Sequence, residues 1–206
     1  LMGLAVLAWV HLVERRDLAT VGLGGAHGVR KFLLGHAVGL LTISAVVAAI
    51  WAAGAYDVGA WAKALASGEA MARIGILLVC FAVQSSVEEF VFRGWLLSAI
   101  ARRLNVASAV VLTSMVFSLL HYGPGQFWLI TLNTFLFSVF ACAWALNVGS
   151  IWGVMGWHAG WNWLLAVGFE LPVTGFDAGV PALLVELSAL GPDVLTGGAH
   201  GPEGSD

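Results

Sequence analysis

Long apolar stretches separated by short polar ones dominate the chain, without the strict alternation of half-buried strands or the one-sided stripe of surface helices. A helix needs about 20 mainly apolar residues to cross the hydrocarbon core of a bilayer. Phe32 to Ala55 meets that length with His36 as its only ionisable residue. A second run goes from Met71 to Val87 and, after a charged interruption, resumes to Ala101. From Leu104 to Phe169 there is no Lys, Arg, Asp or Glu, enough chain for about three spans. Breakers at Tyr122-Gly123-Pro124-Gly125-Gln126 and Asn147-Val148-Gly149 divide it into Val106–His121, Phe127–Leu146 and Ser150–Phe169.

Two weaker runs flank these. Leu1 to Val13 is apolar, and the charges Glu14, Arg15, Arg16 and Asp17 follow it rather than precede it, so it reads as a short or truncated first span and not as a secretory signal. Val180 to Leu190 is short for a span and holds Glu186. The expected fold is all-α, a polytopic membrane bundle of about six to eight helices. Residues 1–195 are expected to form one transmembrane domain with a catalytic core at about 71–169, followed by a polar, Gly-rich, flexible tail over 196–206.

Composition agrees with the pattern. Of 206 residues, 60% are hydrophobic and 10% charged, too few charges to cover a water-soluble surface, and the hydrophobicity excludes intrinsic disorder. Nine basic and twelve acidic residues give a formal charge of -3, with no basic cluster suited to a phosphate backbone, so nucleic acid is not an expected partner. Cys80 and Cys142 are far apart in apolar runs and read as small core hydrophobes rather than a disulfide or zinc pair. Arg15, Arg16, Arg30 and Lys31 are separated from Arg102 and Arg103 by two spans, so the two basic loops share a side, expected to be cytoplasmic. Trp51, Trp61, Trp128, Trp152 and Trp163 suit interfacial belts, and Trp144, Trp157 and Trp161 suit packing or lipid anchoring.

Against this background Glu88, Glu89 and Arg93 are out of place. They lie about 15 residues from Arg73 and 14 from Arg102, roughly 21 Å from either end of the helix. A charge facing lipid there costs on the order of 3 kcal/mol, so all three are expected to face the bundle interior or a wet cavity. Glu89 and Arg93 are four apart on one face and read as a structural ion pair. Glu88 points about 100° away, has no local charged partner, and is a candidate general base. His121 and His158 fall at compatible depths, and Asn162 shares a helix face with His158, with Gly160 between them leaving room for close approach. His36 is expected to pack or snorkel.

Glu88-Glu89-Phe90-Val91-Phe92-Arg93 is EExxxR, Phe117 to His121 is FxxxH, and His158 to Asn162 is HxxxN. In this order on three membrane helices, the set resembles the CPBP family of CAAX prenyl endopeptidases type II, bacteriocin-processing relatives and abortive-infection proteins. The resemblance implies an intramembrane endopeptidase acting on a membrane-associated, possibly lipidated, protein. It implies that Glu88 and His121 hold and activate a hydrolytic water, that His158 and Asn162 stabilise the oxyanion, and that Glu89 and Arg93 shape the site. Zinc remains open: Glu88, His121 and His158 could supply three ligands, but no HExxH helix places two of them one turn apart. Outside the resemblance, intramembrane Glu and His chains also serve ion- or proton-coupled transporters, and the same fold could act as a non-catalytic scaffold or immunity protein.

Overall fold

In the computed structural model, which describes residues 1–123 and 128–204, the chain opens with α1 (Met2–Ala8), extended through a π-helical turn over Trp9–Val13. Next come α2 (Gly28–Ala52), strand β1 (Tyr56–Trp61) and α3 (Gly68–Glu89). A π-helical segment, Phe90–Leu96, joins α3 without a break to α4 (Leu97–Ala101). The remaining elements are α5 (Val106–Leu120), α6 (Trp128–Val148), α7 (Trp152–Trp163) with a π turn over Leu164–Gly168, strand β2 (Val185–Ala189) and α8 (Asp193–Thr196). Local chemistry marks several starts: Ser67 accepts a hydrogen bond from Ala70 N at 3.2 Å, and Asn105 accepts one from Ser108 N at 2.8 Å. Gly149, at φ +65°, makes the expected turn between α6 and α7.

The fold is an all-α bundle. Among the described residues three helical stretches are long and apolar enough to cross a membrane: Gly28–Ala52, Gly68–Ala101 and Trp128–Val148. Met2–Val13 and Val106–Leu120 are apolar but shorter. Residue 127, the expected start of one span, and most of the turn expected over 122–126 fall among residues 124–127, outside the described residues.

The expected helix over Val180–Leu190 is not formed. That segment contains β2, which pairs antiparallel with β1, Tyr56 opposite Ala189 and Val58 opposite Leu187. An apolar run of this length does not distinguish strand from helix by periodicity, and the tie is broken at a distance by the backbone that β1 offers. Glu186, awkward in a lipid-facing helix, meets Lys63 at 3.3 Å on the exposed side of the pair. The Gly-rich end also differs from a free tail: α8 and the turns Gly198–His200 and Pro202–Gly204 fold back, with Thr196, Pro202 and Gly204 buried. Ser205 and Asp206 lie outside the described residues.

At the centre lies α7, where Gly153 through Gly160 are all buried. Its partner is α2, and the contact is backbone on backbone. A Cβ built on Gly35 would sit 1.9 Å from Gly153 O, one on Gly39 2.2 Å from Trp157 O, one on Gly156 1.9 Å from Phe32 O, and one on Gly160 2.4 Å from His36 O. Small residues on both helices permit this approach, the usual solution where lipid offers no hydrophobic drive to hold helices together. Leu33, Leu34, Val38 and Leu41 on the other faces of α2 are exposed, as lipid-facing positions should be.

Indole N–H groups add hydrogen bonds between elements. Trp157 Nε1 donates to Thr42 Oγ1 at 3.0 Å, Trp163 Nε1 to Ile74 O at 3.2 Å, and Trp152 Nε1 to Leu23 O at 3.2 Å. Trp152 and Trp163 thus tie elements together instead of forming a belt, whereas Trp51, Trp61 and Trp128 are exposed as expected. Phe32 and Trp163 flank His36, which packs.

The two basic loops meet at one end. Arg102 Nη2 lies 3.4 Å from Glu14 Oε2, and Arg16 Nη2 donates to Ser98 Oγ at 2.8 Å. Burial would raise the Glu14 pKa, but hydrogen bonds from Trp95, Arg16 and Trp9 outweigh it and hold it down at about 2. A carboxyl depressed in the folded state stabilises above its ordinary value and loses that contribution as pH falls toward the folded one. Glu14→Gln is therefore expected to lower the melting temperature at pH 7, with the gap to wild type closing between about pH 4.5 and 2. Gly156→Ala should destabilise by about 3 kcal/mol or more in detergent unfolding, because backbone cannot yield. Gly75→Ala, where an added Cβ has nothing within 4 Å, should be neutral or slightly stabilising.

Candidate active site

The long α3–α4 helix carries Glu88, Glu89 and Arg93 at its middle, α5 delivers His121 at its C-terminal end, and α7 brings His158 and Asn162 into the core. Glu89 is the most enclosed charge in the group. Its Oε1 accepts from Arg93 Nη1 at 3.2 Å and from His158 Nδ1 at 2.8 Å, and the Glu89 and Arg93 side chains are both 0% exposed. The guanidinium also stacks on aromatic faces, with Cζ 4.2 Å from the Phe117 ring centre and 5.3 Å from that of Phe137. The expected ion pair is present, but it is one arm of a triad that reaches across to α7.

Glu88 lies on a different face, as the 100° offset requires. It is not solitary: Gln84 Nε2 donates to its Oε1. Its Oε2 lies 4.0 Å from His121 Nε2 and makes no hydrogen bond among the described residues. His121 is oriented by its own helix, since Nδ1 lies 2.8 Å from Phe117 O. A carbonyl oxygen only accepts, so Nδ1 carries the proton and Nε2 of the neutral ring presents its lone pair toward Glu88.

A cavity of about 870 Å³ opens beside these groups. Glu88, His121, His158 and Asn162 all line it, while Glu89 and Arg93 stand behind the wall. Helical spacing accounts for the separation of Glu88 from Glu89 and Arg93. His158, however, is held by Glu89 and not by Glu88, so the carboxylate at the cavity faces one imidazole rather than two. Most of the remaining lining is apolar, including Leu77, Phe81, Leu136, Phe137, Phe140 and Trp157. Trp144 and Trp157 pack with Phe140 as expected.

The far wall comes from segments that no motif flagged. Val173, Thr174 and Phe176 contribute from the loop after α7, and His200, Pro202, Glu203 and Gly204 from the returning end of the chain. Glu203 anchors that end: Oε1 accepts from Trp161 Nε1 at 3.0 Å and Oε2 from Thr174 Oγ1 at 2.6 Å. Cys80 lines the cavity and is exposed instead of packing in the core, whereas Cys142 is fully buried. Gln84 was legible in principle, being one helical turn before Glu88; the roles of Thr174 and Glu203 depend on tertiary folding.

The candidate zinc ligands do not converge. Among the described residues no group of three or more His, Cys, Asp or Glu side chains is arranged to hold a metal ion. His158 turns Nδ1 to Glu89, and Glu88 and His121 supply at most two donors. The residues present do not fit a three-ligand zinc site.

A family model, Type II CAAX prenyl endopeptidase Rce1-like, matches residues 69–164. No curated protein and no solved structure matches the chain. The matched segment starts at the first turn of α3 and ends just beyond α7, so it contains every candidate site residue on those helices. Over these residues, a little under half of its length, the chain is similar to the CPBP family of CAAX-type proteases. The apolar helices and this match support a membrane protein and, at the level of the family, a CAAX-protease-like intramembrane endopeptidase.

Removing one member of a buried charge cluster strands the others. Arg93→Met should destabilise the protein by about 3–5 kcal/mol, because Glu89 then keeps only His158 as a partner. Thermal unfolding in detergent, read against His121→Ala at the half-open cavity wall, measures the difference.

Proposed function

We propose that this protein cleaves a peptide bond of a membrane-associated substrate with a water held between Glu88 and His121. The observation that carries the reading is the 4.0 Å separation of Glu88 Oε2 and His121 Nε2 at the cavity wall, both acceptors and neither bonded to the other. Such a gap suits one water donating a hydrogen bond to each. Glu88 takes a proton as the water oxygen attacks the substrate carbonyl, and returns it to the leaving amine when the tetrahedral intermediate collapses.

His158 and Asn162 then meet the developing oxyanion. With Nδ1–H given to Glu89, His158 can present only its Nε2 edge to the cavity, and an N–H there requires the imidazolium form. Glu89 stands beside that ring, and Arg93 holds Glu89 in place. The apolar lining suits an aliphatic or lipid chain beside the scissile bond and excludes bulk water from the reacting groups.

The substrate is in this reading a protein or peptide carried in or on the membrane, and lipidation would explain the extent of the apolar wall. The catalytic core is residues 71–169, within one transmembrane domain. The protein is a multi-pass protein of the cell membrane with its Arg15–Lys31 and Arg102–Arg103 loops in the cytoplasm.

The experiment uses the purified protein in liposomes and an internally quenched farnesylated peptide with a CAAX end. Wild type should cleave it, and Glu88→Ala and His121→Ala should each lower kcat by at least about 100-fold with the fold retained. Equal rates for all three would remove the assignment. Treatment with 1,10-phenanthroline should leave the rate unchanged; loss on chelation with recovery on adding zinc would replace the Glu–His water with a metal centre.

A further inference from the structure

The carboxylate of Glu88 can rotate, and only one of its oxygens can face His121. The atom that settles this is the amide of Gln84, one turn earlier on α3. Gln84 Nε2 donates to Glu88 Oε1, and Ser85 Oγ, on a fully buried side chain, lies 3.3 Å from Gln84 Oε1 and donates to it. A carboxylate only accepts and an amide oxygen cannot donate, so the two contacts together fix which way the amide faces. With Oε1 occupied, Oε2 is left as the oxygen nearer His121 Nε2, and it makes no hydrogen bond among the described residues.

We infer that Gln84 is a positioning residue for the reaction: it locks the Glu88 carboxylate so that Oε2 alone takes the water and its proton. The inference rests on the reading of Glu88 as the base, and names a residue outside the three motifs. Gln84 lines the cavity, yet its amide is committed on both sides, so its effect passes through Glu88 rather than through substrate contact. Helical geometry makes the arrangement stiff, because residues four apart on one face stay neighbours as long as the helix does.

Gln84→Met keeps the length of the side chain and removes both amide contacts. On the farnesylated quenched peptide in liposomes, it should lower kcat about tenfold and leave KM within about twofold, since a hydrogen bond to a charged group is lost while the binding wall keeps its shape. Its melting temperature should stay near that of wild type.

The discriminating arm is the Glu88→Asp background, where the retracted carboxyl is out of reach of the amide. There Gln84→Met should cost nothing further, whereas a general loosening of the helix would multiply the two losses. A wild-type kcat for Gln84→Met, a rise confined to KM, or multiplicative losses in the double variant would each overturn the positioning role while leaving Glu88 as the base. Full activity of Glu88→Ala, or no cleavage by wild type, would overturn the underlying reading, and this inference with it.

Discussion

One fully enclosed carboxylate organises the centre of this molecule. Glu89 receives Arg93 from its own helix and His158 from α7, so two elements far apart in sequence are joined through a single oxygen, Oε1. In buried surroundings each of these bonds counts for more than it would in water, and losing either donor would leave the carboxylate under-paired. The consequence is spatial: the ion-paired carboxylate is placed behind the cavity wall, and its neighbour Glu88 is placed on it. Adjacent residues on an α-helix, separated by 100° of rotation, provide this division without any loop.

The helix that holds Glu89 changes its hydrogen-bonding pattern immediately afterwards, with π-helical geometry over Phe90–Leu96. Such segments often accompany functional positions, because they reorient side chains without ending the helix. Here the π segment contains Arg93, and the widened turn lies where the guanidinium must reach both Glu89 and the face of Phe117. Another π turn follows α7, just beyond Asn162.

Much of this was legible in the sequence for stated reasons. The depth of Glu88, Glu89 and Arg93 follows from counting residues, their separation onto two faces from helical periodicity, and the all-α character from the length of the apolar runs. The partner of His158 was not legible, because Glu89 and Glu88 are equally near it along the chain and only the rotation of α7 against α3 selects one. The strand at Val185–Ala189 and the anchoring of Glu203 were hidden for a related reason. An eleven-residue apolar run and a Gly-rich end have no preferred partner of their own, and each is shaped by the surface it lands on: β1 in one case, Trp161 and Thr174 in the other.

The glycine seam between α2 and α7 reaches further than packing. Where side chains separate two helices, rotamer changes can take up a displacement; where main chains touch, nothing compliant lies between them. A tilt or twist of α2 is handed to α7 undiminished, and with it to the imidazole and amide that α7 carries. A helix that carries none of the candidate site residues is thereby locked, main chain to main chain, to the one that carries two of them.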